Sequence, residues 1–248
     1  MHKIKISFFS LVFPISSYCV SLYLPIDSTI SNDVEKMATL TNMSSTKMPY
    51  SLEMVSQYNE KIKETYPELY KKIATKIQSL DNNQTFSKER IAVSVTTSDQ
   101  KVRLPNAHGV DTKSSYFVQG YYLVNLNEYI KGSIEASLYE KDSKNKFATN
   151  NSFVSLGFDK FQIDAGYRDH FYGPFRNGGM QISTNAKNSP SLTISNSTPF
   201  EFADINYEMF LSRLEKTDGI YYEGNLHEGY PRLLGMHLDF HPIDSLEV

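Results

Sequence analysis

Hydrophobic positions recur every three or four residues in the first third of the chain and at every second residue beyond it. Between 22 and 85, three apolar stripes at helical spacing predict three helices. Ser28 or Ser31 is expected to cap the first, and Ser51 the second. Pro67 fits the first turn of the third. The stripes are Ile30, Val34, Met37, Ala38; Met54, Val55, Tyr58, Ile62; and Leu69, Tyr70, Ile73, Ile77, Leu80.

Beyond residue 86 the period shortens to two, which predicts antiparallel strands. Only Asp159 and Lys160 separate two of these strands, which is the spacing of a tight hairpin. The polar segments 141–148 and 217–228 are predicted to be loops. The last strand has a mostly polar face and an apolar face made of Leu234, Met236, Leu238 and Phe240. The predicted strands cover 90–96, 116–126, 129–139, 153–158, 161–167, 191–196, 205–214 and 233–241.

Alternation alone does not say which face of the sheet is covered. In a soluble sheet the apolar face packs into the core, whereas in an outer-membrane barrel it contacts lipid and the polar face lines the lumen. Strands of about ten residues favour the barrel. A targeting segment favours it as well. The basic start and the short apolar stretch from Ile6 to Val20 predict a secretory signal peptide over residues 1–21.

We therefore expect a mainly β protein with a small N-terminal α-helical part. Residues 22–85 are predicted to form a periplasmic helical region. Residues 86–248 are predicted to form the N-terminal part of an antiparallel transmembrane β-barrel, which is partial. The chain stops at Val248 as another strand begins, without the terminal aromatic residue of a complete barrel, so we expect a truncated product.

Composition excludes some classes of function but does not identify one. The 248 residues carry a net charge of -3, and no basic stripe suggests a nucleic-acid partner. The 17 Tyr and 15 Phe suit a sheet, and the mean hydropathy of -0.40 gives no sign of a helical membrane protein. Cys19 is the only cysteine, so removal of the signal peptide leaves no thiol for a disulfide or metal.

Three ionisable residues, Arg168, Asp169 and His170, stand together where a predicted strand ends. Neighbours on a strand point to opposite faces, so Asp169 is poorly placed to orient His170 for acid–base catalysis. An internal ion-pair and hydrogen-bond network is the structural alternative, and sugar recognition is another, because arginine beside aromatic rings suits carboxylates and sugar faces. His237 and His241 lie about 13 Å apart on a strand, too far to share a metal ion.

The segment Gly166-Tyr167-Arg168-Asp169-His170-Phe171 is followed by Gly173-Pro174-Phe175 and by Met180-Gln181-Ile182-Ser183-Thr184. Further segments follow in order at 189–196, 207–211 and 231–238, with others at 24–28 and 47–51. Together they resemble the capsule assembly protein Wzi family. Phe171 stands where tryptophan is usual in that family, and the chain is much shorter than a complete family member.

The resemblance implies a lectin-like protein of the bacterial outer membrane that binds capsular polysaccharide or exopolysaccharide and helps capsule assembly. It implies no enzyme, cofactor or metal, and its partners would be the polysaccharide and outer-membrane lipid. The residues expected to contact glycan are Tyr167, Arg168, Asp169, His170 and Phe171. A porin-like channel without a glycan role is the alternative, and a barrel hydrolase using His170 is a third hypothesis.

Overall fold

The computed structural model describes residues 20–26, 28–81, 84–95, 115–141, 144–173, 182 and 186–242. Three helices precede a strand-rich region within these ranges: α1 (Ser31–Thr41), α2 (Leu52–Glu60) and α3 (Pro67–Leu80). The strands are β1 (Lys47–Met48), β2 (Phe86–Val95), β3 (Tyr116–Asn127), β4 (Ile130–Lys141), β5 (Lys144–Ala148), β6 (Ser152–Phe158), β7 (Phe161–Tyr167), β8 (Phe171–Tyr172), β9 (Pro190–Ser195), β10 (Asn206–Arg213), β11 (Thr217–Tyr222), β12 (Asn225–Gly229) and β13 (Arg232–Asp239).

The helices begin where local chemistry satisfies their first amides. The Ser51 hydroxyl accepts a hydrogen bond from the Met54 amide at 3.0 Å, which confirms the predicted cap of α2. Pro67 lies in the first turn of α3, also as predicted. The predicted serine cap of α1 is wrong. Ile30 occupies that position, and the Ser31 hydroxyl donates instead to the Ile26 carbonyl.

The hydrophobic core lies inside the helical region. The apolar stripes of α1 and α2 are buried there, whereas Leu69, Tyr70 and Ile77 of α3 pack against the core while partly exposed. Three residues of the strand-rich region join it: Tyr121, Leu123 and Phe171. Among the described residues, no helix is long and apolar enough to cross a membrane.

Nine strands form one antiparallel sheet, in the order β13, β10, β9, β7, β6, β4, β3, β2, with β5 pairing beside β6 on the same edge of β4. Most neighbours in the sheet are neighbours in the chain, and the hairpin turning at Asp159 and Lys160 is confirmed. Among the described residues the path is open, with β2 and β13 at its ends. Closure into a barrel therefore stays a prediction.

Two predicted loops contain strands. Residues 144–148 form β5, which pairs with Ser137–Lys141 of β4, while β6 pairs with the other half of β4. Residues 217–228 belong to the β11–β12 hairpin, which pairs only with itself. Both segments are largely polar, so neither shows the alternation that marks a half-buried strand. Their pairing depends on backbone hydrogen bonds rather than on an apolar face.

The faces of the sheet are inverted relative to a sheet that packs on a hydrophobic core. The covered face is polar, and its Glu208 side chain is 1% exposed. The outward face is apolar, and its Met236 side chain is 71% exposed. Covered residues include Gln119, Glu135, Ser155, Gln162, Asp164, Thr193, Ser195, Asn206 and Asp239. Outward residues include Ile91, Val93, Val118, Ile134, Leu138, Val154, Leu156, Leu192, Met209, Leu211, Leu234 and Leu238.

The two ends of the sheet differ in the length of their connections. At one end, here called the short-turn end, strands are joined by residues 128–129, 159–160 and 196–205. At the other, here called the long-loop end, the connections are 96–115, 168–189 and 214–231, the last of which contains the β11–β12 hairpin, together with the two-residue connection 142–143 between β4 and β5.

The helical region covers the polar face through polar contacts. The Tyr23 hydroxyl donates to Asp164 at 2.8 Å in the middle of the sheet. Nearer the short-turn end, Tyr58 donates to Asp204 at 3.2 Å. The Lys131 ammonium lies 3.0 Å from the Asp81 carboxylate. Helices and sheet are therefore joined by directional contacts and not only by apolar packing.

Candidate functional site

Arg168 is the centre of a charge network between the helical region and the sheet. It follows β7 directly, and its side chain is 1% exposed. One terminal nitrogen, Nη1, donates to Asp164 at 2.7 Å, and the other, Nη2, donates to Glu208 at 2.6 Å. The guanidinium lies 4.0 Å from the centre of the Tyr23 ring. One buried cation thus joins β7 and β10, which lie on either side of β9, to the extended segment before α1.

Glu208 is the shared acceptor of this network. One of its oxygens accepts from Arg168, and the other accepts hydrogen bonds from Tyr172 and His170, each at 2.8 Å. Strand β10 places Glu208 inward because its odd-numbered neighbours Tyr207 and Met209 face outward. A buried carboxylate needs such donors, since an unpaired buried charge is strongly unfavourable.

His170 is held on both ring nitrogens and on one ring face. Its Nδ1 contacts Glu208, and its Nε2 lies 3.1 Å from the Ser191 hydroxyl. Its ring stacks on Phe210, with centroids 3.9 Å apart and an interplanar angle of 8°. Thr193 lies within 3.4 Å of Nε2 as well. The histidine is therefore fixed in orientation by two strands of the sheet, β9 and β10.

The pKa values of two further groups, both outside the main sheet, are shifted by burial and by the charges of this network. Burial raises the pKa of the Tyr172 hydroxyl, and the negative charge of Glu208 raises it further. Burial lowers the pKa of the Lys47 ammonium, while the charge of Glu208 opposes that change. Lys47 and Tyr172 are opposite each other in the β1–β8 pair, so this small pair brings a cation and a phenol to the network.

A cavity of about 170 Å³ lies beside the network at the long-loop end. The polar part of its wall comes from the segment after β7 and from the segment before β9, and Phe210 and Ser212 contribute from β10. Its lining residues are Ile26, Arg168, Asp169, His170, Phe171, Ile182, Ala186, Lys187, Asn188, Ser189, Phe210, Ser212, Leu214 and Leu233. The wall combines charged, amide and hydroxyl groups with aliphatic and aromatic surface.

The structure brings together four of the five predicted glycan-contacting residues. Arg168, Asp169, His170 and Phe171 all line the cavity, although each side chain is mostly buried. Phe171 also packs in the hydrophobic core of the helical region. Tyr167 is apart from them, because the alternation of β7 places it on the outward face. Whether these residues contact glycan stays a prediction.

Sequence reasoning missed Asp164 and Glu208, the two acids that hold Arg168. Both are acidic residues at inward positions of strands, 4 and 40 residues from Arg168. The sequence did carry a signal for them, because each is an acidic residue on the polar face of an alternating strand. A carboxylate that is covered in the fold needs a cation or several hydrogen-bond donors. The interpretation as an internal network is confirmed for Arg168 and His170, and Glu208 orients His170.

A hydrogen-bonded series of the kind found in hydrolytic triads runs from Ser191 to His170 and on to Glu208. The arrangement nevertheless favours a structural role. Ser191 does not line the cavity, and its hydroxyl also lies 3.3 Å from the Gly166 carbonyl. Glu208 is already engaged by Arg168 and Tyr172. A nucleophile needs access to substrate, and Ser191 is only 8% exposed.

The described residues contain no group of three or more His, Cys, Asp or Glu side chains arranged to hold a metal ion. His237 instead stacks on Tyr172 with centroids 4.8 Å apart, and its Nδ1 lies 3.5 Å from Asp239. These contacts extend the charge network by one more strand, β13.

The fold and the site define a class of protein in which an antiparallel sheet has an apolar outward face and a charged, polar face filled by N-terminal helices. A model of the family described as capsule assembly protein Wzi matches residues 82–248. The chain belongs to this family, so its role lies in capsule assembly. Comparisons with curated proteins and with solved structures gave no significant match.

Proposed function

We propose that this chain acts in the bacterial outer membrane, where it binds capsular polysaccharide or exopolysaccharide and helps capsule assembly at the cell surface. The observation that carries the proposal is the inverted sheet, since a long antiparallel meander with an apolar outward face suits contact with lipid. Family membership supports the same location and role.

Aromatic residues at the rims of the outward face support the membrane placement. At the short-turn end, Tyr129 and Phe158 meet edge to face at 6.4 Å, and Phe161 lies across the hairpin turn. Tyr207 is near the same rim and donates to the Lys160 carbonyl. At the long-loop end Tyr167 takes the outward position. Aromatic girdles of this kind border the lipid-facing band of outer-membrane sheets.

The lengths of the connections support an orientation. In outer-membrane barrels short turns face the periplasm and longer loops face the outside. The short-turn end is also where α3 leads into β2, which agrees with a periplasmic helical region. The cavity near Asp169 and His170 then lies toward the cell surface.

The cavity supports a role in holding glycan. Its volume of about 170 Å³ is small beside the 300–1,000 Å³ typical of pockets for drug-sized ligands, so it suits one sugar unit or substituent. Lys187, Asn188 and Asp169 supply groups for hydroxyls or a carboxylate. We assign Asp169 and His170 to direct contact, Arg168 and Phe171 to support of the wall, and Tyr167 to the outer rim.

The binding test uses the purified full chain in detergent micelles and capsular polysaccharide from the source bacterium, measured by calorimetry. Replacing Asp169 and Lys187 by alanine is expected to weaken binding at least tenfold, because tenfold is about 1.4 kcal/mol and one lost hydrogen bond to a charged group already costs about 1.5–3 kcal/mol. Lys88→Ala, an exposed residue of β2, is the matched control. Unchanged affinity in the cavity variants would remove the cavity from the proposal.

A cell-based test addresses the role and the channel alternative together. Deletion is expected to release capsule from the cell surface while solute permeability stays unchanged. The polar face of the sheet is filled by the helical region, as the Tyr23–Asp164 contact illustrates, which disfavours an open pore among the described residues. The full-length product is expected to show heat-modifiable gel migration. Recovery as a soluble periplasmic protein would overturn the membrane placement.

A further inference from the structure

Two arginines face each other on the outward side of the sheet at the long-loop end. Arg213 ends β10 and Arg232 begins β13, and the two are direct cross-strand partners. Both are exposed, and alternation places them in line with Leu211 and Leu234. Leu233, the next residue along β13, lines the cavity on the opposite face. The arginine pair therefore borders the apolar outward face and not the cavity.

Within the described part of the chain, neither arginine has an acidic partner within ion-pair distance. The one contact is between Arg213 and Tyr230, whose ring centre lies 4.0 Å from the guanidinium carbon. The nearby acid Glu215 is paired instead with Lys187. Tyr230 thus fixes the direction of one guanidinium without neutralising it.

Like charges directly opposite each other on neighbouring strands destabilise a sheet. Their repulsion increases beside apolar surface, because water screens charges less well there. An anion between the two guanidinium groups would reverse the sign of this interaction. Arginine forks match the oxygens of a phosphate group and can bind them with paired hydrogen bonds.

We propose that Arg213, Arg232 and Tyr230 bind the phosphate group of a glycolipid in the outer leaflet, with its acyl chains against Leu211 and Leu234. The proposal rests on the proposed membrane location. A lipid fits better than an acidic polysaccharide because the pair shares its face with the apolar residues of β10 and β13. This lipid site is separate from the polysaccharide cavity and lies at the same end of the sheet.

The test titrates the purified full chain, in non-ionic detergent, with diphosphorylated lipid A and with its dephosphorylated form, and counts bound lipid by native mass spectrometry. The wild-type protein is expected to prefer the phosphorylated form at least tenfold. Arg213→Gln/Arg232→Gln is expected to lose that preference. Arg213→Lys/Arg232→Lys is expected to keep part of it, since lysine keeps the charge but not the fork. Lys88→Gln, an exposed outward cation on β2, controls for net charge.

Three results would overturn the proposal: equal binding of both lipid forms by the wild-type protein, unchanged preference in the double glutamine variant, or an equal loss in the Lys88 control. Full competition by inorganic phosphate would show a free-phosphate site. Displacement by capsular polysaccharide would assign the arginines to the polymer. If the protein inserts in membranes and binds polysaccharide but fails this lipid test, only the lipid-binding proposal is refuted. Recovery as a soluble protein removes the membrane proposal itself.

Discussion

Replacing Arg168 by methionine would leave Asp164 and Glu208 as buried carboxylates without their shared cation. Methionine keeps much of the length of the side chain, so the change removes charge and hydrogen bonds more than volume. The two carboxylates would keep neutral donors: Tyr23 to Asp164 and Tyr172 to Glu208, each at 2.8 Å. Those hydrogen bonds do not neutralise the charges, and the like charges then repel each other in a place that water does not reach.

The magnitude follows from the burial of all three partners. The side chains of Arg168, Asp164 and Glu208 are at most 1% exposed, so solvent does not screen them. Removing one partner of a buried ion pair costs about 3–5 kcal/mol. The lost contact with the Tyr23 ring, about 2 kcal/mol when desolvated, is part of that sum. We expect Arg168→Met to lower the free energy of unfolding by about 4 kcal/mol, within that range.

The assay is urea unfolding in micelles, followed by circular dichroism and tyrosine fluorescence because the chain has no tryptophan. Arg168→Met, Glu208→Gln and the double variant form a double-mutant cycle. The double variant is expected to lose less than the sum of the single losses, with a coupling energy of about 2 kcal/mol. Lys88→Met is the exposed control and is expected to change stability by less than about 0.5 kcal/mol.

Two results would refute the reasoning. A loss below about 1 kcal/mol for Arg168→Met would mean that the network is solvated or rearranged. Strict additivity in the cycle would mean that Arg168 and Glu208 do not act on each other despite their 2.6 Å contact.

Three further changes test the groups around the network. Tyr172→Phe removes a donor to Glu208 and is expected to cost about 1–3 kcal/mol. The raised pKa of Tyr172 gives stability that is present below about pH 10, where an unfolded tyrosine begins to ionise, and is lost as pH rises further. The variant is therefore expected to show a shallower decline in stability between about pH 10 and 11. Gly166→Ala is expected to cost more than about 3 kcal/mol, because at φ +138° its Cβ would lie 2.4 Å from a carbonyl of β6. Ser51→Ala removes the cap of α2 and is expected to cost about 1 kcal/mol, read as faster proteolysis of the helical region.

Each of these changes has a matched comparison. Gly224 in the β11–β12 turn has φ +78° with nothing within 4 Å of an added Cβ, so Gly224→Ala is expected to cost only about 1 kcal/mol. Equal losses at Gly166 and Gly224 would mean that the close approach to β6 plays no part. A decline in stability above about pH 10 that is identical with and without the Tyr172 hydroxyl would assign it to other groups. Proteolysis unchanged by Ser51→Ala would mean that α2 does not depend on its cap.

Local pattern predicted most elements because their chemistry is local. The helical stripes, the Ser51 cap and the strand alternation each depend on residues within a few positions of one another. The segments 144–148 and 217–229 were missed because their pairing comes from the exposed edge of β4 and from a self-paired hairpin. A polar strand that owes its existence to a neighbouring backbone leaves no periodic signal in its own sequence.

The sequence by itself determined that each long strand has one apolar and one polar face, since alternation along an extended chain fixes this without any partner. Only the tertiary structure decided that the apolar face points outward, because that depends on what covers the polar face. The same holds for the site. The sequence shows that Arg168 and His170 lie close together in the chain. Glu208, 40 residues beyond Arg168, becomes their partner only through the pairing of β7, β9 and β10. Charge pairing across a sheet follows register, and register is set by contacts between distant parts of the chain.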